Sequence, residues 1–507
     1  MQPYKIYRVI AAIAMIIFIA GGCTGDFEEL NTNPSLLTED KIQPEVLFTS
    51  VLKNSIFSTF NNTGGRIGEF AQYYASESSG NLFAPVNHTS PFSWYSDYII
   101  NTNEVIRLTA DNPQKNDQNA MARIWKVWLY HMMTDVYGDL PYFEAAKDVR
   151  NVINQPKYDS QEEIYKDMLK ELKEAAAQLG SQANQLSFGN ADILYKGNVD
   201  NWKKFANSLR LRLAIRVRFA DAALASEHIN NVITAPLIAE NSENAALKTL
   251  QPTASENSTN LNWIYNHHIT EITDVYVGFG ITDVMIPTDD PRMPVFFKPS
   301  TDGNSSYRGR PIQLTSGQKE GTTYAANTVA TAGPVLIADV YQIIVLNAAE
   351  VLLLKAEAAQ AGITTEDKNA LYRSGIQKSM EQYEVDQAGV DVFLSNPLVA
   401  LSGTDEEQFE KIATQKYIAT FFQGYEGWAE MRRTGYPRVW IGAEKGITDG
   451  IIPRRFTYPS EESLKNKENL EVAKTRMGGD LLTTRIWWDK RPGLPFVHPL
   501  QGTFPPN

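Results

Sequence analysis

Large apolar side chains recur at helical spacing along residues 121–137, MARIWKVWLYHMMTDVY, and Gly138 supplies a stop. Residues 160–180 open on Ser160 and Glu163, spaced as a capping box, and end at Gly180. A shorter helix is expected over 94–106. Along 201–219 basic and apolar positions alternate at a period near 3.6, with Arg210, Arg212, Arg216 and Arg218 on the basic side. In an acidic chain that side reads as solvated or salt-bridged, not as a nucleic-acid surface. Between about 250 and 335 the periodicity lapses into Asn, Thr, Ser, Gly and Pro with scattered aromatics. Loops and short strands are expected there, and binding contacts concentrate on such segments. The helical pattern returns over 339–361, with Asp339 as N-cap and Gly362 as stop, and again near 365–386 and 405–433. Alanines interleaved with Leu and Val let paired helices approach closely. Stacking of the tetratricopeptide kind is therefore expected, although no clean 34-residue repeat is visible.

The amino terminus breaks from this pattern. Lys5 and Arg8 precede an almost purely apolar run at 9–20, followed by Gly21, Gly22 and Cys23, the chain's single cysteine. The run is shorter than the roughly 20 residues of a membrane-spanning helix, so 1–22 reads as a secretory signal. A lone thiol at the cleavage site has no disulfide partner, and a bacterial lipid anchor on Cys23 accounts for it. The residue three before Cys23 is Ala20, where such signals prefer Leu, Val or Ile. Each buried acyl methylene contributes about 0.8 kcal/mol, so several chains on one cysteine hold firmly. Beyond the signal no apolar run approaches spanning length, and no linker divides 23–507, which is expected to form one domain with an insertion at about 250–335.

The chain carries 47 basic and 59 acidic residues, a net charge of −12. Nucleic acid as a partner is excluded on this ground, since it demands basic patches. Metalloprotease, serine-hydrolase, phosphate-loop and dinucleotide motifs are absent. The six histidines are scattered. His131 and Asp135 stand four apart on a predicted helix, and packing explains that spacing better than a metal pair. No enzyme activity and no cofactor are expected, with calcium left open.

Several segments run in order over nearly the whole chain: DVYGDLPYFEA at 135–145, YKGN at 195–198, WKKFANSLRLRL at 202–213, and DPR at 290–292 with Phe296 and Phe297. NAAEVLLLKAE at 347–357, GYEGWAEMRR at 424–433, RFTYP at 455–459 and WWD at 487–489 continue the series. Together they resemble the SusD/RagB family of nutrient-binding outer-membrane lipoproteins, in its SusD-like branch from the Bacteroidetes. The resemblance implies an all-α superhelix of four tetratricopeptide-like helix pairs, with inserted loops and a few short strands forming the ligand face. It also implies a TonB-dependent, SusC-like barrel as partner, and the acids Asp26, Glu28 and Glu29 behind Cys23 imply export to the outer face of the outer membrane. The shared motifs are expected to be structural.

A sugar offers apolar C–H faces and a rim of hydroxyls, so its site needs exposed rings beside amides, carboxylates or arginine. Two segments have that mixture. One, at 73–94, holds Tyr73, Tyr74, Asn81, Phe83, Asn87, His88 and Trp94. The other, at 263–307, holds Trp263, Tyr265, His267, Tyr276, Phe279, Arg292 and Tyr307. Trp263 and Phe83 stand out because polar neighbours surround them. A glycan or oligosaccharide is the first reading of the ligand, and a peptide the second. A host-adhesion protein comes third, and a surface glycoside hydrolase, needing two facing carboxylates, last.

Overall fold

The computed structural model describes residues 42–76, 83, 89–148, 150–253, 260–270, 275–321 and 323–501. The expected signal at 1–22 and the expected lipid-bearing Cys23 lie outside them. The chain divides into two compact units, Met1–Pro44 and Glu45–Asn507. The helices up to the insertion are α1 (Pro44–Thr63), α2 (Arg66–Phe70), α3 (Ile100–Ala110), α4 (Asn116–Tyr137), α5 (Gln161–Gln178), α6 (Val199–Arg216) and α7 (Ala222–Val232). The insertion adds α8 (Trp263–Thr270), α9 (Phe279–Met285), α10 (Met293–Phe296) and α11 (Ser316–Glu320). Beyond it come α12 (Ala348–Gln360), α13 (Lys368–Gln382), α14 (Gln387–Ser395), α15 (Asp405–Ala419), α16 (Gly424–Thr434), α17 (Glu462–Lys465) and α18 (Lys467–Met477).

From α3 to α7 each helix packs on the next, and α12 packs on α13, α15 and α6. Stacked helix pairs thus form the scaffold, with loops and short strands inserted, and the fold is the expected helical one. Local signals act as predicted. Ser160 and Glu163 form the capping box of α5, and Gly138 ends α4 at a φ of 85° that glycine adopts without strain. Among the described residues no helix is long and apolar enough to cross a membrane.

Three expectations change. Residues 342–346 form a strand rather than the start of a helix, and Asn347, not Asp339, caps α12, its side chain accepting from the Glu350 amide at 2.8 Å. The run QIIVL is β-branched, and the strand Gln342–Leu346 finds an antiparallel partner in Ala245–Lys248. The segment 405–433 breaks into α15 and α16, with Phe422 at a φ of 66° in the join. The segment 365–386 ends early, at Gln382, and α14 follows as a separate helix.

Arg212 and Arg216 of α6, and Arg218 just beyond it, turn to buried acids rather than to solvent. Arg212 pairs with Glu350 at 2.6 Å, Arg216 with Glu426 at 2.6 Å, and Arg218 with Glu357 at 2.8 Å. Arg433 and Lys416 each reach both Glu357 and Glu430. This buried network fastens α6, α12, α15 and α16 together. Burial alone would raise the Glu357 carboxyl, but Arg433, Lys416 and Arg218 outweigh it and hold it at about 2. The sequence segments 202–213, 347–357 and 424–433 are therefore scaffold.

Candidate functional site

The two aromatic segments meet at a small sheet. Strands β1 (Tyr74–Ala75), β2 (Tyr276–Val277), β4 (Thr331–Ala332) and β3 (Phe297–Lys298) lie side by side in that order. Tyr74 pairs with Val277, and Ala75 with Tyr276, so residues some 200 positions apart share one ladder. Gly278 permits this approach, because a Cβ there would lie 2.2 Å from the Gln72 carbonyl oxygen.

Trp263 stands beside this ladder at the start of α8. Its indole meets Tyr74 edge-on at 6.5 Å and rests on Phe60 and Phe422 at 6.1 and 6.2 Å. Gly64 gives the ring its place, since a Cβ there would sit 2.4 Å from it. The adjoining Asn262 is fully buried and donates to the carbonyls of Leu336 and Ala338, both at 2.7 Å. Its oxygen accepts from the Ile264 amide at 3.1 Å, which fixes the first turn of α8. Trp263, Tyr74, Tyr265 and Asn266 are half-buried, so each keeps a solvent-facing part. Burial, then Glu69, push the Tyr74 hydroxyl up to about 12 against the pull of Arg310. It stays protonated at neutral pH, ready to give and accept a hydrogen bond. Tyr307 is half-buried against Phe297, at 6.5 Å, on the far edge of the sheet.

The remaining predicted residues are packed away. Tyr73 stacks on Tyr417 at 4.6 Å, and its hydroxyl donates to the Tyr417 carbonyl at 2.7 Å. Phe83 is fully buried, 6.3 Å from Phe70, and lies under the backbone of Gly446. Trp94 packs between Tyr98 and Tyr425. Tyr276 lies beneath the Arg310 guanidinium, and Phe279 is wedged against Trp440 and His498. Arg292 is fully buried; it pairs with Asp290 at 2.5 Å and donates to Ser379 and Gln415, both at 2.8 Å. These side chains complete the core instead of presenting rings to a ligand, because a neighbouring segment covers each polar setting that the sequence suggested. Asn81, Asn87, His88 and the side chain of His267 lie outside the described residues. His131 and Asp135 are buried, and Asp135 accepts from the Trp488 indole at 2.7 Å and from the Tyr165 hydroxyl. Among the described residues no group of three or more His, Cys, Asp and Glu side chains is placed to hold a metal.

The arrangement offers apolar ring surface beside neutral hydroxyl and amide groups. That is binding chemistry: Trp263, Tyr74 and Tyr265 supply surface for stacking, and the Tyr74 hydroxyl and Asn266 amide supply polar partners. Trp263 is one of the two rings singled out in the sequence, and it keeps a solvent-facing part. Asn262, Gly64 and Phe422, which hold it, were not legible there, since each acts through a residue distant in the chain. A separate recess of about 610 Å³ lies elsewhere, between Phe92, Tyr95, Pro141, Asn151, Asn154 and Glu461.

No match is found among curated proteins. A solved chitin-binding protein is 27% identical, with a TM-score of 0.77, over 88% of this chain and 100% of its own. A SusD homologue from Bacteroides uniformis is 27% identical over 89% of this chain and 100% of its own, with a TM-score of 0.76. A chitin-binding SusD homologue from Flavobacterium johnsoniae is 26% identical over 88% of this chain and 97% of its own, with a TM-score of 0.73. The sequence model of the SusD-like family, described as starch-binding and associating with the outer membrane, matches residues 34–459, and the chain belongs to that family.

Proposed function

We propose that this protein is a non-catalytic surface lipoprotein that captures a glycan and passes it to a TonB-dependent, SusC-like barrel in the outer membrane. In this reading residues 1–22 are removed, Cys23 carries the lipid, and the domain from 23 onward faces the cell exterior. Trp263, Tyr74 and Tyr265 hold the sugar, with Tyr307 at the far edge of the same sheet. The juxtaposition of Trp263 and Tyr74, half-exposed rings from two distant segments, carries the proposal. The rings supply apolar surface for the C–H face of a sugar, and neutral hydroxyl and amide groups suit a neutral polysaccharide. Relatives described as chitin-binding make chitin oligosaccharides the first ligands to try, with starch next.

The test is retardation of the chain from residue 24 onward in affinity gels containing a panel of polysaccharides, with peptides titrated by calorimetry. Retention by one glycan class supports the reading. Binding of peptides alone moves the ligand to the peptide class and overturns it.

A further inference from the structure

The recess of about 610 Å³ beside Phe92 takes no part in the buried charge network or in the Trp263 face. Pockets that hold small ligands run to about 300–1,000 Å³. Phe92 and Tyr95 line it, both half-buried and set edge-on to each other at 5.3 Å. The Tyr95 hydroxyl donates to the Pro141 carbonyl at 2.6 Å, so Tyr95 offers ring surface and no free hydroxyl hydrogen. The connection between α4 and α5 adds Val152 and Ile153, adjoining residues that are 63% and 46% exposed. Adjoining apolar side chains left in water beside two rings mark a surface that a ligand covers.

Neutral polar groups in this recess are uncommitted. Asn151 and Asn154 are exposed, and their side-chain amides make no hydrogen bond among the described residues. The half-buried Ser93 hydroxyl makes none there either. Of the acids, Asp148 pairs with Arg150 at 2.8 Å, and Glu462 accepts from the Tyr158 hydroxyl at 2.7 Å. Lys147 and Lys465 stand against these two and Glu461, so neither sign of charge prevails and a neutral ligand fits. An N-acetylated hexose answers each feature. It carries a C–H face for the two rings, a methyl for Val152 and Ile153, and an amide donor and acceptor for the asparagines.

We propose that this recess binds an N-acetylated hexose unit, as a second site besides the Trp263 face. The sugar part rests on the proposed glycan function; the N-acetyl preference rests on the walls and amides of this recess alone. The experiment is calorimetric titration of the chain from residue 24, carrying Trp263→Ala, with N,N′-diacetylchitobiose and with cellobiose. The two sugars share a backbone and linkage and differ in the acetamido groups. Saturable binding of diacetylchitobiose, weaker than by the native chain, with cellobiose at least tenfold weaker still, is the expected result. Adding Val152→Asp or Ile153→Asp, both at exposed positions, should weaken that binding about tenfold or more. If Trp263→Ala does not fold, stoichiometry carries the test, with two sites in the native chain against one in Ile153→Asp. Absence of binding by folded Trp263→Ala, equal binding of cellobiose, unchanged affinity in both aspartate variants, or a single site in the native chain overturns the proposal. Polysaccharide retention by the native chain, read on the same preparation, separates failure of this site from failure of the glycan reading.

Discussion

Polar groups enter the interior of this protein in two regions, and the two regions handle them differently. Around Arg433, every charge is answered inside the protein: Glu357 and Glu430 are shared by Arg433 and Lys416, and nothing is left for a ligand. Around Trp263, Asn262 and the glycine backbone are spent on holding a ring whose outer part stays open. The sequence segments 347–357 and 424–433 meet in the first region, and the two aromatic segments meet in the second. A closed polar network fixes a scaffold, whereas polar groups that support a surface without consuming it leave ring area open, which is the basis of the capture proposed for Trp263.

This contrast fails most visibly if the network can be broken without loss. Arg433→Leu leaves Glu357 and Glu430 buried with fewer partners and should cost about 3–5 kcal/mol, read from chemical unfolding. Retained stability would mean that the network is not what joins α12, α15 and α16. Acid should attack the same place. Glu357 and Glu430 are held below their ordinary values, Glu357 at about 2. Their contribution is therefore fully present above pH 4.5 and is lost as pH falls from there toward 2. Unfolding midpoints followed through that window should drop for the native chain, and drop less for Glu357→Gln.

Effects at the face should be smaller in stability and larger in binding. Asn262→Ala strips partners from the Leu336 and Ala338 carbonyls and the Ile264 amide, and should cost about 1–3 kcal/mol. It should also weaken glycan retention by loosening the first turn of α8. Gly64→Ala should cost about 1 kcal/mol, as crowding of a packed ring does, while displacing Trp263. A crystal structure of that variant with Trp263 unmoved would contradict the seating described for it.

Much of the scaffold was legible in the sequence because its signals are local. Gly138, and Ser160 with Glu163, mark helix ends within a turn of where they act. The strand at 342–346 was not legible, since a short apolar run has no telling period and its partner lies some hundred residues earlier. The burial of Arg212 and Arg216 was hidden for the same reason, their partners being Glu350 and Glu426. At the face, both segments were recognisable from their mixture of rings and polar residues. Which rings stay open was not, because exposure depends on what packs above. Tyr417 stacks on Tyr73, and Gly446 covers Phe83, while Trp263 is backed by Phe60 and Phe422 and edged by Tyr74.

The most direct test of the central claim is retention of Trp263→Ala in gels carrying whichever glycan retards the native chain. The variant should keep a cooperative melt within a few degrees of the native one, and its retention should fall by tenfold or more, about 1.4 kcal/mol. Native-like retention by a folded Trp263→Ala would contradict the claim that this face captures the ligand.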